Sequence, residues 1–107
     1  MVASLIQFKK VAAAAEEQVE ELAEIFKILA DPTRLKILAA LADERSLCVH
    51  ELCDRLGMSQ PAVSHQLRTL RAARLVRGQR AGREVFYGLD DEHVLRLISE
   101  GLKHVRE

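Results

Sequence analysis

The 107 residues predict a mainly α-helical domain with one small β-hairpin, in a chain that pairs with a copy of itself. Three observations carry this expectation. Nearly half the residues are apolar, yet Trp is absent and aromatics are few, so the core rests on Leu, Ile, Val and Ala, which suit helices. Apolar residues recur at helical spacing along most of the chain and switch to a period of two only once, over residues 75–89. The length allows one domain, 1–107, whose lone core is modest, so further burial in a dimer is expected.

Residues 1–13 form an N-terminal arm. Residues 14–30 read as a dimerisation helix, with Val19, Leu22, Ile25, Phe26 and Leu29 at helical spacing and Glu16, Glu17, Glu20, Glu21 and Glu24 outside. Asp31-Pro32 caps and opens a second helix through Leu35, Ile37, Leu38 and Leu41, and Asp43-Glu44-Arg45-Ser46 is expected as a charged turn. Residues 48–73 read as a helix-turn-helix: a short helix from Cys48 to Leu56, a left-handed stop at Gly57, then a longer helix capped by Ser59 with Val63, Leu67 and Leu70 turned inward. The wing is 75–89, two strands about a turn expected at Ala81-Gly82. Asp90 and Asp91 cap the last helix, 91–106, whose Val94, Leu97, Ile98, Gly101 and Val105 are read as one stripe for dimerisation and metal binding.

The formal net charge is zero, which argues against a binder that grips any polyanion by bulk charge. The distribution is uneven, however. Residues 1–56 carry seven basic and ten acidic groups, 57–83 carry six Arg and no acid, and 84–107 carry three basic and six acidic. The six Arg, at 68, 71, 74, 77, 80 and 83, fall on the longer helix and the hairpin, and Arg suits bidentate contact with phosphate and guanine. Ser59, Gln60, Ser64, His65 and Arg68 are the expected groove-facing residues of the helix. Arg77, Arg80 and Arg83 are those of the wing, and the expected partner is double-stranded DNA.

The last helix also carries Asp91, His93, His104 and Glu107. Eleven residues separate the two His, which puts them on one face but about 16 Å apart along the axis, so one helix cannot bring both to one ion. Two antiparallel copies across a two-fold axis can, with Asp91 and His93 of one subunit meeting His104 and Glu107 of the other. Asp91 and His93 converge only if Asp91 sits at the non-helical cap. Two imidazoles and two carboxylates suit Zn(II), with Co(II) and Ni(II) as competitors, and a closed set of four leaves no open position for hydrolysis. The plain alternative is that both His are exposed helix residues beside acids. Glu100 is a substitute for Glu107. Cys48, His50 and Glu51 form a secondary candidate, while Cys53 falls among apolar positions as a small core residue. The two Cys lie about 140° apart on a helix, which disfavours a disulfide.

Across residues 18–107 the chain resembles the ArsR/SmtB winged-helix metal-sensing repressors, through Leu29-Ala30-Asp31-Pro32-Thr33-Arg34-Leu35, Leu47-Cys48-Val49-His50-Glu51-Leu52, Gln60-Pro61-Ala62-Val63-Ser64-His65-Gln66-Leu67 and Gly82-Arg83-x-Val85-Phe86-Tyr87. The resemblance implies a homodimer whose metal-free form holds an inverted-repeat operator and which Zn(II) at the last-helix site releases. It also implies that the second nitrogen of His104 meets the Arg74 carbonyl. Cys48 and Glu51 match the family's C-V-x-D element, but the arm has no Cys or His to complete a thiolate-rich site for Cd(II), lead or arsenic. Sensing of such metals, or of redox state, through the Cys48 region is the alternative reading. The apolar run before Lys9 and Lys10 reverses the order of a signal peptide, and no stretch approaches about 18 apolar residues, so a cytoplasmic protein without membrane contact is expected.

Overall fold

The computed structural model describes residues 15–107, and the expected arm at 1–13 lies outside them. The first helix, α1 (Glu16–Leu29), starts where Gln18 Oε1 accepts the Ala15 N–H at 3.0 Å, and it presents only its last turns to the core. Leu29 is buried and Ile25 and Ile28 are half-buried, whereas Val19, Leu22 and Phe26 are about half exposed. Asp31 caps α2 (Pro32–Glu44) by accepting the Arg34 N–H at 2.9 Å, with Pro32 in the first turn, where a missing N–H costs nothing. This helix is the central post: Ile37, Leu38 and Leu41 are fully buried and it packs on α1, α3, α5 and the sheet.

The helix α2 continues through Glu44, so Asp43 and Glu44 are helical rather than part of the expected turn, and the helix ends at Arg45, whose φ is positive (71°). There follows a strand that local pattern did not indicate, β1 (Leu47–Cys48), which pairs with the far side of the hairpin. Then come α3 (Val49–Leu56), Gly57 at φ 63°, and α4 (Gln60–Ala72). The hairpin is β2 (Val76–Ala81) and β3 (Glu84–Leu89), in register from Val76 opposite Leu89 to Ala81 opposite Glu84. Ala81 and Glu84 are therefore the last pair, and the turn is Gly82-Arg83 rather than Ala81-Gly82. Gly82, at φ 67°, takes the first central position that favours glycine in a two-residue hairpin.

The three strands are antiparallel in the order β1-β3-β2. Gly88 permits this closure: a Cβ there would lie 2.8 Å from the Arg45 carbonyl oxygen, a backbone atom. The last helix is α5 (Glu92–Arg106). Its expected single stripe divides, because Val94 and Ile98 are buried while Leu97 and Val105 are exposed, Val105 to 82%. From Ser99 onward every residue is exposed, since the helix outruns the core that covers its first turns.

Candidate nucleic-acid interface and metal-ligating residues

Ser59 starts α4 by accepting the Ala62 N–H on its Oγ at 3.3 Å. Val63, Leu67 and Leu70 are then driven into the core, which turns Gln60, His65 and Arg68 outward, with Ser64 half-buried beside them. The Thr69 hydroxyl donates to the His65 carbonyl at 3.4 Å and is thereby turned back onto the helix. Short polar side chains near an N-terminus allow a helix to sit close to base edges. All six Arg from 68 to 83 are exposed, and among the described residues none of them is ion-paired, which leaves their charge available for phosphate.

One linkage escapes any local pattern. From α2, Arg34 Nε donates to Gln66 Oε1 of α4 at 2.9 Å, and its Nη1 donates to the Ile28 carbonyl of α1 at 3.3 Å. Only the Asp31-Pro32 start signal, which fixes where Arg34 falls on its helix, hints at it in the sequence.

At the start of α5, Asp91 takes the cap position expected of it if it is to converge with His93. Its Oδ1 accepts the Val94 N–H at 3.0 Å while its Oδ2 lies 3.5 Å from His93 Nδ1. The Val94 N–H, with the neighbouring His93 adding to it, holds the Asp91 carboxyl below its usual range, so a carboxylate is ready beside an exposed imidazole. His104 and Glu107 stand at the opposite end, both exposed, with the Glu107 N–H donating to the His104 carbonyl at 3.3 Å. The two halves do not meet within a protomer, and among the described residues no group of three or more ligating side chains forms in one chain. Glu100 is exposed on the same helix.

The wing root and this helix start share a cleft of about 530 Å³ onto which Arg45, Arg77, Asp90 and Asp91 open. From this cleft the Asp90 N–H donates to the Leu75 carbonyl at 3.0 Å, and the Leu75 N–H in turn to the Leu70 carbonyl of α4 at 3.0 Å. At the secondary candidate, Cys48 is buried and its N–H donates to Glu51 Oε1 at 2.9 Å, so that carboxylate serves as a helix cap. Burial pushes the Cys48 thiol up, away from the thiolate a soft metal needs, and His50 points to solvent. Cys53 is half-buried against the core, and both cysteines are free.

Two helices joined through a left-handed glycine, the second with an unpaired Arg-bearing face, and a β-ribbon with Arg at its tip define a winged helix-turn-helix, the fold of DNA-binding regulators. Residues 31–77 match the family described as "Bacterial regulatory protein, arsR family". The chain is 47% identical over 91 residues to the "Transcriptional repressor SmtB homolog" of Synechocystis sp., covering 85% of this chain and 68% of that one. It spans about two thirds of the length of several curated relatives, among them that one. Among solved structures it is similar to the AntR antimony-specific transcriptional repressor, with a TM-score of 0.78, 37% identity, and 88% of this chain and 85% of that one covered. It is also similar to the homodimeric winged helix-turn-helix DNA-binding domain Mb0332 of Mycobacterium bovis, with a TM-score of 0.79, 26% identity, and 89% and 90% covered. The chain belongs to the arsR family of bacterial regulatory proteins. It is a regulatory protein and not an enzyme. No helix among the described residues is long and apolar enough to cross a membrane.

Proposed function

We propose that the chain acts in the cytoplasm as a homodimeric transcriptional repressor that binds an inverted-repeat operator in its metal-free form and is released by Zn(II). The observation that carries this reading is the placement of Asp91 beside His93 at one end of α5 and of His104 and Glu107 at the other. The donors fit the ion: two imidazoles and two carboxylates, one of them already ionised by its cap, form a set suited to Zn(II), with Co(II) and Ni(II) close behind. When bound, the ion supplies two positive charges and a demand for four-fold coordination. Asp91 and His93 of one protomer and His104 and Glu107 of its partner would hold it, so that each site would join the two chains.

On DNA, α4 offers Ser59, Gln60, Ser64, His65 and Arg68 to the groove, and Arg77, Arg80 and Arg83 follow the backbone along the wing. Drawing the ends of two α5 helices together changes the angle between protomers and hence the separation of the two α4 helices. Within each protomer the Asp90 to Leu75 hydrogen bond ties the ligand-bearing start of α5 to the end of α4. Such coupling is reciprocal and of order 1 to 3 kcal/mol, so operator DNA weakens metal binding by the factor by which metal weakens DNA binding.

His104→Ala tests the reading. The variant should keep operator affinity and lose metal-induced release, measured by anisotropy of a labelled duplex with and without Zn(II). Release that persists would move sensing elsewhere. The Co(II) absorption spectrum separates this site from sensing of softer metals or redox state through Cys48, because nitrogen and oxygen ligands give no thiolate charge-transfer band.

A further inference from the structure

Arg34 is the one described side chain that hydrogen-bonds to two other helices. Its base is fixed, since its own N–H is held by Asp31 Oδ2 at 2.9 Å. Its guanidinium is a rigid planar fork, so bonds on two of its nitrogens set a direction as well as a distance. One arm of the fork takes the Ile28 carbonyl, among the last four of α1, which lack partners within their own helix. The other takes Gln66 Oε1 on α4, between exposed His65 and fully buried Leu67. The link is half-buried, where it is screened less than a surface contact.

We propose that Arg34 is a positioning residue that sets the orientation of α4 relative to α1, and through it the half-site spacing the dimer accepts. This rests on the reading of the chain as a DNA-binding dimer paired through α1. The apolar face of α1, Val19, Leu22 and Phe26, is left for a partner, so α1 defines the dimer frame in which each α4 is held. A pin between the two converts a side-chain geometry into the distance between two recognition helices, which must match one turn of duplex. Gln66 points its oxygen to Arg34 rather than to solvent and acts through it. Lys at position 34 is too simple a donor to hold both acceptors in a fixed direction.

The test uses the full chain and a labelled duplex carrying the inverted repeat that the wild-type protein selects from a random pool. Derivatives have one base pair inserted or removed between the half-sites. The wild-type protein should lose about tenfold in affinity on either derivative. Gln66→Met and Arg34→Lys should melt as folded dimers, bind the selected duplex about tenfold more weakly, and show a spacing penalty below about threefold. Gln66→Glu, which keeps an oxygen acceptor at this position for the Arg34 guanidinium, should retain both affinity and spacing preference. A wild-type spacing penalty in Gln66→Met and Arg34→Lys, whether overall affinity falls or holds, overturns the proposal, because a merely structural contact weakens all spacings alike. A wild-type protein that selects no duplex overturns the DNA-binding reading itself and the proposal with it.

Discussion

Asp91 has two duties that substitution can separate. Its Oδ1 caps α5 through the Val94 N–H, and its Oδ2 faces His93. Asn caps as well as Asp but is a poor metal ligand, and Ala does neither. Asp91→Asn should therefore keep the melting temperature of the metal-free protein and lose affinity for Zn(II), whereas Asp91→Ala loses both, as thermal melts and a competition titration would show. Glu51 offers a pH-dependent counterpart. The Cys48 N–H holds its carboxyl below the ordinary range, so ionised Glu51 adds stability at pH above the ordinary carboxylate value, and that contribution is lost as pH falls through the depressed one. The melting-temperature advantage of wild type over Glu51→Gln should be full near neutrality and disappear in acid, and an advantage that grows in acid would reverse the sign of this argument. Asp91 and Glu51 were both visible as candidate ligands in the sequence. That Glu51 is occupied as a cap was not, since its neighbour at position 48 is Cys rather than Ser or Thr.

At the scale of elements, the start and stop residues explain why the helices were legible. Asp31-Pro32, Gly57, Ser59 and Asp91 each satisfy or release a backbone group within a few residues, and local chemistry of this kind is written in local sequence. The strand β1 was not legible. Two residues have no period, and Leu47 and Cys48 are extended because Tyr87 and Phe86 lie across from them, far along the chain. Register likewise moved the hairpin turn by one residue, since Ala81 is paired with Glu84. The reading elements give a prediction of their own. Arg68→Ala on α4 and Arg80→Ala on the wing should each weaken DNA binding and reduce the salt slope by about one, if each removes one phosphate contact. Loss of affinity at Arg68 confined to particular operator sequences would instead assign it a base contact.

For the molecule as a whole, two helices carry apolar surface that the protomer does not use. Val19, Leu22 and Phe26 of α1 and Leu97, Leu102 and Val105 of α5 are large hydrophobic residues left exposed, an excess that marks an interaction surface. Phe26→Glu and Val105→Asp should each shift the protein from dimer toward monomer in sedimentation equilibrium. By splitting the site they should also abolish high-affinity Zn(II) binding while leaving all four ligands in place. A monomer that still binds the ion tightly would show the site to be complete within one chain.

The succession of helices, the Arg-only block between two acidic segments, and the spacing of Asp91, His93, His104 and Glu107 on the last helix can all be read along the chain. Each of these is a matter of neighbours a few residues apart or of charge along the chain. Tertiary structure decided which apolar residues remain uncovered, the third strand beneath the wing, and the Arg34 bridge joining three helices. Those depend on pairs brought together from distant positions, such as Arg34 and Gln66, and no local period records them. Packing also divided the stripe of α5: Val94 and Ile98 found a core, and Val105, on the same side of the same helix, lay beyond its edge.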